Sequence, residues 1–198
     1  MTTALAIKTI PRLTIALIGV CLVVAVVTKI GAPELVEPFL ISAYPDQGLR
    51  EIFSGQVWRL LTPIFIHFGP LHLALDMLAL WILGSALERA KGPTLMGLLV
   101  VVTGIISNLA EFIFSAPNFG GMSGVLYGLV GYIWMQGQFN PRFGIYLPKP
   151  VLIMLLGWYV LCWTGLIGPI ANIAHTAGLA VGVAWGFVAA QVQRRKLR

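Results

Sequence analysis

The stretch Pro117-Asn-Phe-Gly-Gly-Met-Ser-Gly-Val-Leu-Tyr-Gly-Leu-Val-Gly-Tyr-Ile-Trp-Met135 joins a broken backbone to a short apolar helix. Pro117, Gly120 and Gly121 interrupt regular structure, and the residues from Gly121 to Met135 are apolar except for Ser123. At ~1.5 Å per residue that helix is only ~22 Å long, short of the ~30 Å hydrocarbon core of a bilayer. If lipid surrounds it, its start lies below the surface. Irregular backbone at that depth exists only where it lines protein or a water-filled hollow. The spacing therefore predicts a submerged aqueous pocket with Ser123 on the first helical turn. There, free backbone N–H groups and the positive end of the helix dipole favour a developing negative charge.

Lipid is the solvent that the rest of the chain implies. Of 198 residues, 58% are hydrophobic and only 10% charged, unlike a soluble domain. Cys21 and Cys162 both sit in apolar runs, which argues against a disulfide framework. The net charge of +6 does not point to nucleic acid, because the basic residues are scattered and cluster densely only at Arg194–Arg198. The first apolar run follows Lys8 and Arg12 as a signal peptide does, but no Ala-x-Ala-like site ends it, so it reads as a retained helix.

Apolar stretches run from Leu13 to Val27, Leu71 to Leu87, Leu95 to Phe114, Gly121 to Met135, Val151 to Leu166 and Asn172 to Ala190. The fold class expected is an all-α membrane protein of six transmembrane helices, with 1–198 as one membrane domain. Lys8 and Arg12, Arg89 and Lys91, Arg142 and Lys149, and the basic C-terminus fall on one side, which places both termini in the cytoplasm. The connector Ala32 to Arg59 mixes charges with Phe39, Leu40, Ile41, Ile52 and Phe53, and is expected to lie in the outer interface.

The chemistry-bearing residues gather near the outer starts of even-numbered helices: His67, His72 and Asp76, then Ser123, then Asn172 and His175. Ionisable groups at membrane depth are costly unless they face an interior cavity, which makes them functional candidates. Gly124, Gly128 and Gly131 admit a close neighbour, and Gly178, Gly182 and Gly186 form a matching ridge in the last helix. That packing brings His175, as a base, to Ser123, as a nucleophile. His72 and Asp76 share a helix face at i and i+4, so a zinc site completed by His67 and His175 is a competing reading. Against it, no His-Glu-x-x-His segment supplies a general base, and Ser123 is left unexplained; no metal and no cofactor are expected.

These residues resemble the rhomboid family. Gly120-Gly-Met-Ser-Gly-Val-Leu-Tyr-Gly128 and Ala174-His-Thr-Ala-Gly-Leu-Ala-Val-Gly182 match its two catalytic-helix motifs. His67-Phe-Gly-Pro-Leu-His72, Trp58-Arg59, and Glu88 followed by Gly92 agree as well. The resemblance implies a minimal six-helix intramembrane serine endopeptidase of a bacterial inner membrane, without an extra soluble domain. Its partners would be the lipid bilayer and transmembrane protein substrates, cut near the outer leaflet. Ser123 would attack, and His175 would serve as base and then acid. His72, the residue at 76 and Gly121 would support the oxyanion, with Tyr127 stacked on His175 and His67 also lining the pocket. Arg59 and Glu88 look structural.

One position departs from the family. Asp76 stands where an Asn is usual, and an ionised carboxylate repels an oxyanion. Three readings stay open: Asp76 is protonated, it orients a histidine, or it sits aside while His72 and backbone N–H groups hold the charge. The alternative function is a catalytically impaired relative that binds membrane clients.

Overall fold

The computed structural model describes residues 10–42, 44 and 48–195. Lys8, counted above for orientation, and the last three residues of the basic C-terminus lie outside them. The described residues form six long helices and no strand: α1 Arg12–Val27, α2 Pro70–Lys91, α3 Pro93–Phe114, α4 Ser123–Phe139, α5 Lys149–Trp163 and α6 Asn172–Arg195. Among them, α2, α3 and α6 are long and apolar enough to cross a membrane, while α1 and α5 are shorter apolar helices. Large apolar side chains such as Val26, Leu78, Ile82, Phe114, Met154 and Val188 stand exposed around the bundle. So much apolar surface facing outward is the mark of a lipid solvent.

Helix starts follow the prolines. α2, α3 and α5 each have Pro in the first turn, where its missing N–H removes a donor that has no partner anyway. The ends of α2, α4 and α6 run further than the apolar stretches, whereas α5 stops at Trp163, short of Leu166. α4 continues from Met135 to Phe139 because Gln136, fully buried, donates through Nε2 to the Gly186 carbonyl at 2.9 Å. Asn140 Nδ2 in turn donates to Gln136 Oε1 at 2.8 Å and to Gln193 Oε1. A polar residue with an interhelical partner does not end a membrane helix.

α4 is the central helix, packed between α3 and α6, and the α4–α6 contact is the most extensive in the molecule. Glycine permits that approach. A Cβ at Gly178 or Gly182 would overlap the carbonyl oxygen of Gly124 or Gly128, and one at Gly186 would come within 2.7 Å of the Tyr132 oxygen. Gly124 and Gly128 face the other way: their missing Cβ positions are crowded by Ser107 and Thr103 of α3. Gly131 is the one of the three that opens α4 toward the α6 backbone, at Leu179 and Val183.

Two buried ionic side chains tie the frame together. The connector folds into short helical turns, including Pro33–Val36, Arg50–Phe53 and Val57–Leu60. Arg59 pins them, donating through Nη1 to the carbonyls of Glu37 (2.7 Å) and Leu40 (2.8 Å) and through Nε to Gln56 (2.7 Å). Phe53, Val57 and Trp58 stay exposed. Glu88, buried in α2, accepts from Leu13 N (2.9 Å), Thr14 N (2.7 Å) and Thr14 Oγ1 (2.7 Å). It thereby caps the free N–H groups of α1 from a different helix. Glu88→Ala is expected to lower stability by about 1–3 kcal/mol by stranding those donors, read as an earlier thermal unfolding transition in detergent; an unchanged transition would rule the cap out as a stabilising contact.

Candidate active site

Ser123 opens α4, and its N–H and those of Gly124 and Val125 have no backbone acceptor, since the first bond of this helix runs from Leu126 N to the Met122 oxygen at 3.0 Å. The turn before it depends on Gly121, whose φ of +126° suits glycine. Gly121 also lacks room for a side chain: a Cβ would meet His72 Nε2 at 2.7 Å. Its own N–H, however, donates to the Pro63 carbonyl at 3.1 Å. The N–H of Gly121, expected to support an oxyanion, is thus engaged with the loop, and the absence of a side chain leaves room for His72.

His175 lies one turn into α6, 4% exposed, with Nε2 2.8 Å from Ser123 Oγ. For Nε2 to accept the serine proton, Nδ1 must carry the ring hydrogen, and Nδ1 has no hydrogen-bond partner among the described residues. Among the described residues no third acid orients this imidazole. Tyr127, one turn after Ser123, packs its ring against it at 4.7 Å between centroids, tilted by 40°. The start of α6 is fixed by Glu111 of α3, whose Oε2 accepts the Ala174 N–H at 2.8 Å, and by Asn172 Nδ2 donating to the Cys162 carbonyl at 3.1 Å. Glu111 is only 2% exposed. The sequence patterns alone assign Glu111 no role. The available signal was an acid inside a helix of spanning length, which needs a partner.

A pocket of about 100 Å³ brings Ser123 and His175 together with Asp76, Tyr127, Trp158 and an apolar floor that includes Leu83 and Val130. His67 is not on its wall. It is fully buried behind Asp76, with Nε2 3.2 Å from Asp76 Oδ2 and Nδ1 3.2 Å from the Phe65 carbonyl. It had been expected among the lining residues, but the short helical turn Thr62–Phe65 carries the chain inward before α2 begins. His72 is one-third exposed, and its Nε2 lies 3.5 Å from the same Asp76 oxygen. The two imidazoles meet edge to face at 5.1 Å. Among the described residues no group of three His, Cys, Asp or Glu is arranged to hold a metal ion.

The fold and the site define a multi-pass membrane protein with a serine and a histidine in contact inside an apolar helical bundle. Residues 54–192 match the rhomboid domain model, and the chain belongs to the rhomboid family. It is 37% identical over 169 residues to the rhomboid protease GlpG of Salmonella paratyphi A, covering 85% of this chain and 59% of that protein. The protein of the same name from Salmonella choleraesuis is 41% identical over 138 residues, 69% of this chain and 50% of its own length. This chain thus spans between half and three-fifths of the curated relatives it matches.

Proposed function

We propose that this protein is an intramembrane serine endopeptidase that cuts transmembrane segments of other membrane proteins near the outer leaflet. The observation that carries the reading is the 2.8 Å contact between His175 Nε2 and Ser123 Oγ in a partly polar pocket within an apolar bundle. Ser123 Oγ attacks the peptide carbonyl while His175 Nε2 takes its proton; His175 then returns that proton to the leaving amine, and water repeats the sequence on the acyl-enzyme. The free N–H groups at the start of α4, with His72 alongside, are aimed at the charge that develops on the carbonyl oxygen. A regular helix shields its carbonyls, so the substrate unwinds locally, and residues that weaken a helix, such as Gly, Ser or Pro, favour cutting.

In this reading all six helices span, as one membrane domain over residues 1–198. Both termini face the cytoplasm by the distribution of Lys and Arg, and the pocket opens toward the outer leaflet of a bacterial inner membrane. The chemistry uses side chains of this chain alone. Purified protein mixed with a labelled single-span substrate tests it: the parent is expected to release a defined fragment that Ser123→Ala does not. A parent protein that binds the substrate and leaves it whole overturns the reading in favour of a client-binding relative.

A further inference from the structure

The family likeness does not account for Asp76 next to a site where negative charge develops, and the surroundings of its carboxylate resolve the conflict. Asp76 is 6% exposed, and it lines the same pocket as Ser123 and His175. Behind it stands His67, 0% exposed. His67 Nδ1 faces the Phe65 carbonyl at 3.2 Å, and a carbonyl oxygen only accepts, so Nδ1 carries a hydrogen. Its other nitrogen, Nε2, faces Asp76 Oδ2 at 3.2 Å. The two atoms are close but not aligned as a hydrogen bond, and among the described residues neither of these buried atoms has a hydrogen-bond partner elsewhere.

That arrangement fixes the proton count. With Nδ1 protonated, a neutral His67 beside an ionised Asp76 would press a ring lone pair against a carboxylate lone pair in a site closed to water, leaving both atoms unpaired and a charge uncompensated. A single added proton removes the conflict. Placed on Nε2 it makes an imidazolium and carboxylate pair; placed on Oδ2 it makes a carboxylic acid that donates to a neutral ring. Both forms carry zero net charge. The other groups facing Asp76 are His72, from its own helix at 3.5 Å, and Ser123, Tyr127 and His175 across the pocket; none of them supplies a fixed positive charge.

We infer that His67 and Asp76 hold one proton between them, so that the pair presents no net negative charge to the oxyanion formed at Ser123, and that His67 is the positioning residue that makes an acid tolerable at this position. The catalytic part of this inference rests on the proposed protease activity; the proton count does not. An amide at position 76 needs no such proton, which gives the inference its test. His67→Phe, close in volume to the native ring, is expected to lower kcat for cleavage of a labelled single-span peptide by about 100-fold, with little change in KM, as the loss of an oxyanion contact does. Made in Asp76→Asn protein, the same change is expected to cost less than about fivefold relative to Asp76→Asn alone. Equal losses in the two backgrounds, with thermal unfolding showing both proteins folded, overturn the inference, because a purely structural His67 acts regardless of residue 76.

Should His67→Phe fail to fold, ¹⁵N NMR of the histidines and infrared spectra of the carboxyl region of the parent protein decide. The expected result is either a cationic His67 or a protonated Asp76, with the signal lost in Asp76→Asn. A neutral His67 beside an ionised Asp76 overturns the inference. A parent protein that cuts nothing while the spectra show the shared proton would sink the protease reading and leave the pair standing.

Discussion

His175→Ala is expected to remove cleavage of a labelled transmembrane peptide almost completely, by a factor of about 10⁴ or more in kcat. A serine hydroxyl is a poor nucleophile at neutral pH, and the one ring nitrogen in contact with it among the described residues is His175 Nε2, 2.8 Å from Oγ. Among the described residues no acid touches His175 Nδ1, so none of them is placed to take over as base. The same loss should appear in the reaction of Ser123 with a fluorophosphonate, which needs the activated hydroxyl but no substrate unwinding. In the proposed mechanism nucleophile and base act as one unit, so Ser123→Ala combined with His175→Ala should be no slower than either change alone. Helix packing should survive, since the ring contributes one stacking contact with Tyr127 and no hydrogen bond to the frame other than that to Ser123. Retention of more than about one-hundredth of the parent rate by folded His175→Ala protein would remove His175 from the role of base.

Much of this arrangement could be read from residue types and spacing. The short apolar helix after a glycine-rich break correctly anticipated that Ser123 begins α4, and the four-residue spacing of Gly178, Gly182 and Gly186 anticipated the face along which α6 meets it. Hydropathy failed where polar groups find partners across helices. It ended α4 at Met135, before the Gln136 to Gly186 contact, and although it enclosed Glu111 within the stretch Leu95 to Phe114, it gave no sign that this residue holds the first turn of α6. Nor does a pattern along the chain reveal which atom of a loop a side chain will face. Gly121 gives its N–H to Pro63, and His67 turns inward to Asp76, because the short helical turns of the connector pack against the bundle. Those are contacts between segments remote or irregular in sequence, for which neither period 3.6 nor hydrophobicity carries a signal.

The glycine ridge of α6 leads to the second large effect. Gly182→Val places two methyl groups where even a Cβ would overlap the Gly128 carbonyl oxygen, and neither partner can yield: both are backbone in regular helices. The helices must separate. Overpacking of this kind costs about 3 kcal/mol, and separation also weakens the Gln136 to Gly186 hydrogen bond one turn further along the same contact. Since His175 lies two turns up the same helix face, a shift of α6 by about 1 Å takes Nε2 out of hydrogen-bonding range of Ser123 Oγ. Activity should therefore fall by about 100-fold even under conditions in which the protein stays folded. Gly157→Ala in α5 is the matched control: nothing lies within 4 Å of its added Cβ, and alanine in a helix should leave stability unchanged or raise it by about 1 kcal/mol. The two changes together separate close packing from glycine flexibility. If glycine served α6 by making it bend, Gly182→Ala and Gly157→Ala would behave alike; contact with α4 requires that only the change at Gly182 lowers the unfolding temperature and the rate of cleavage.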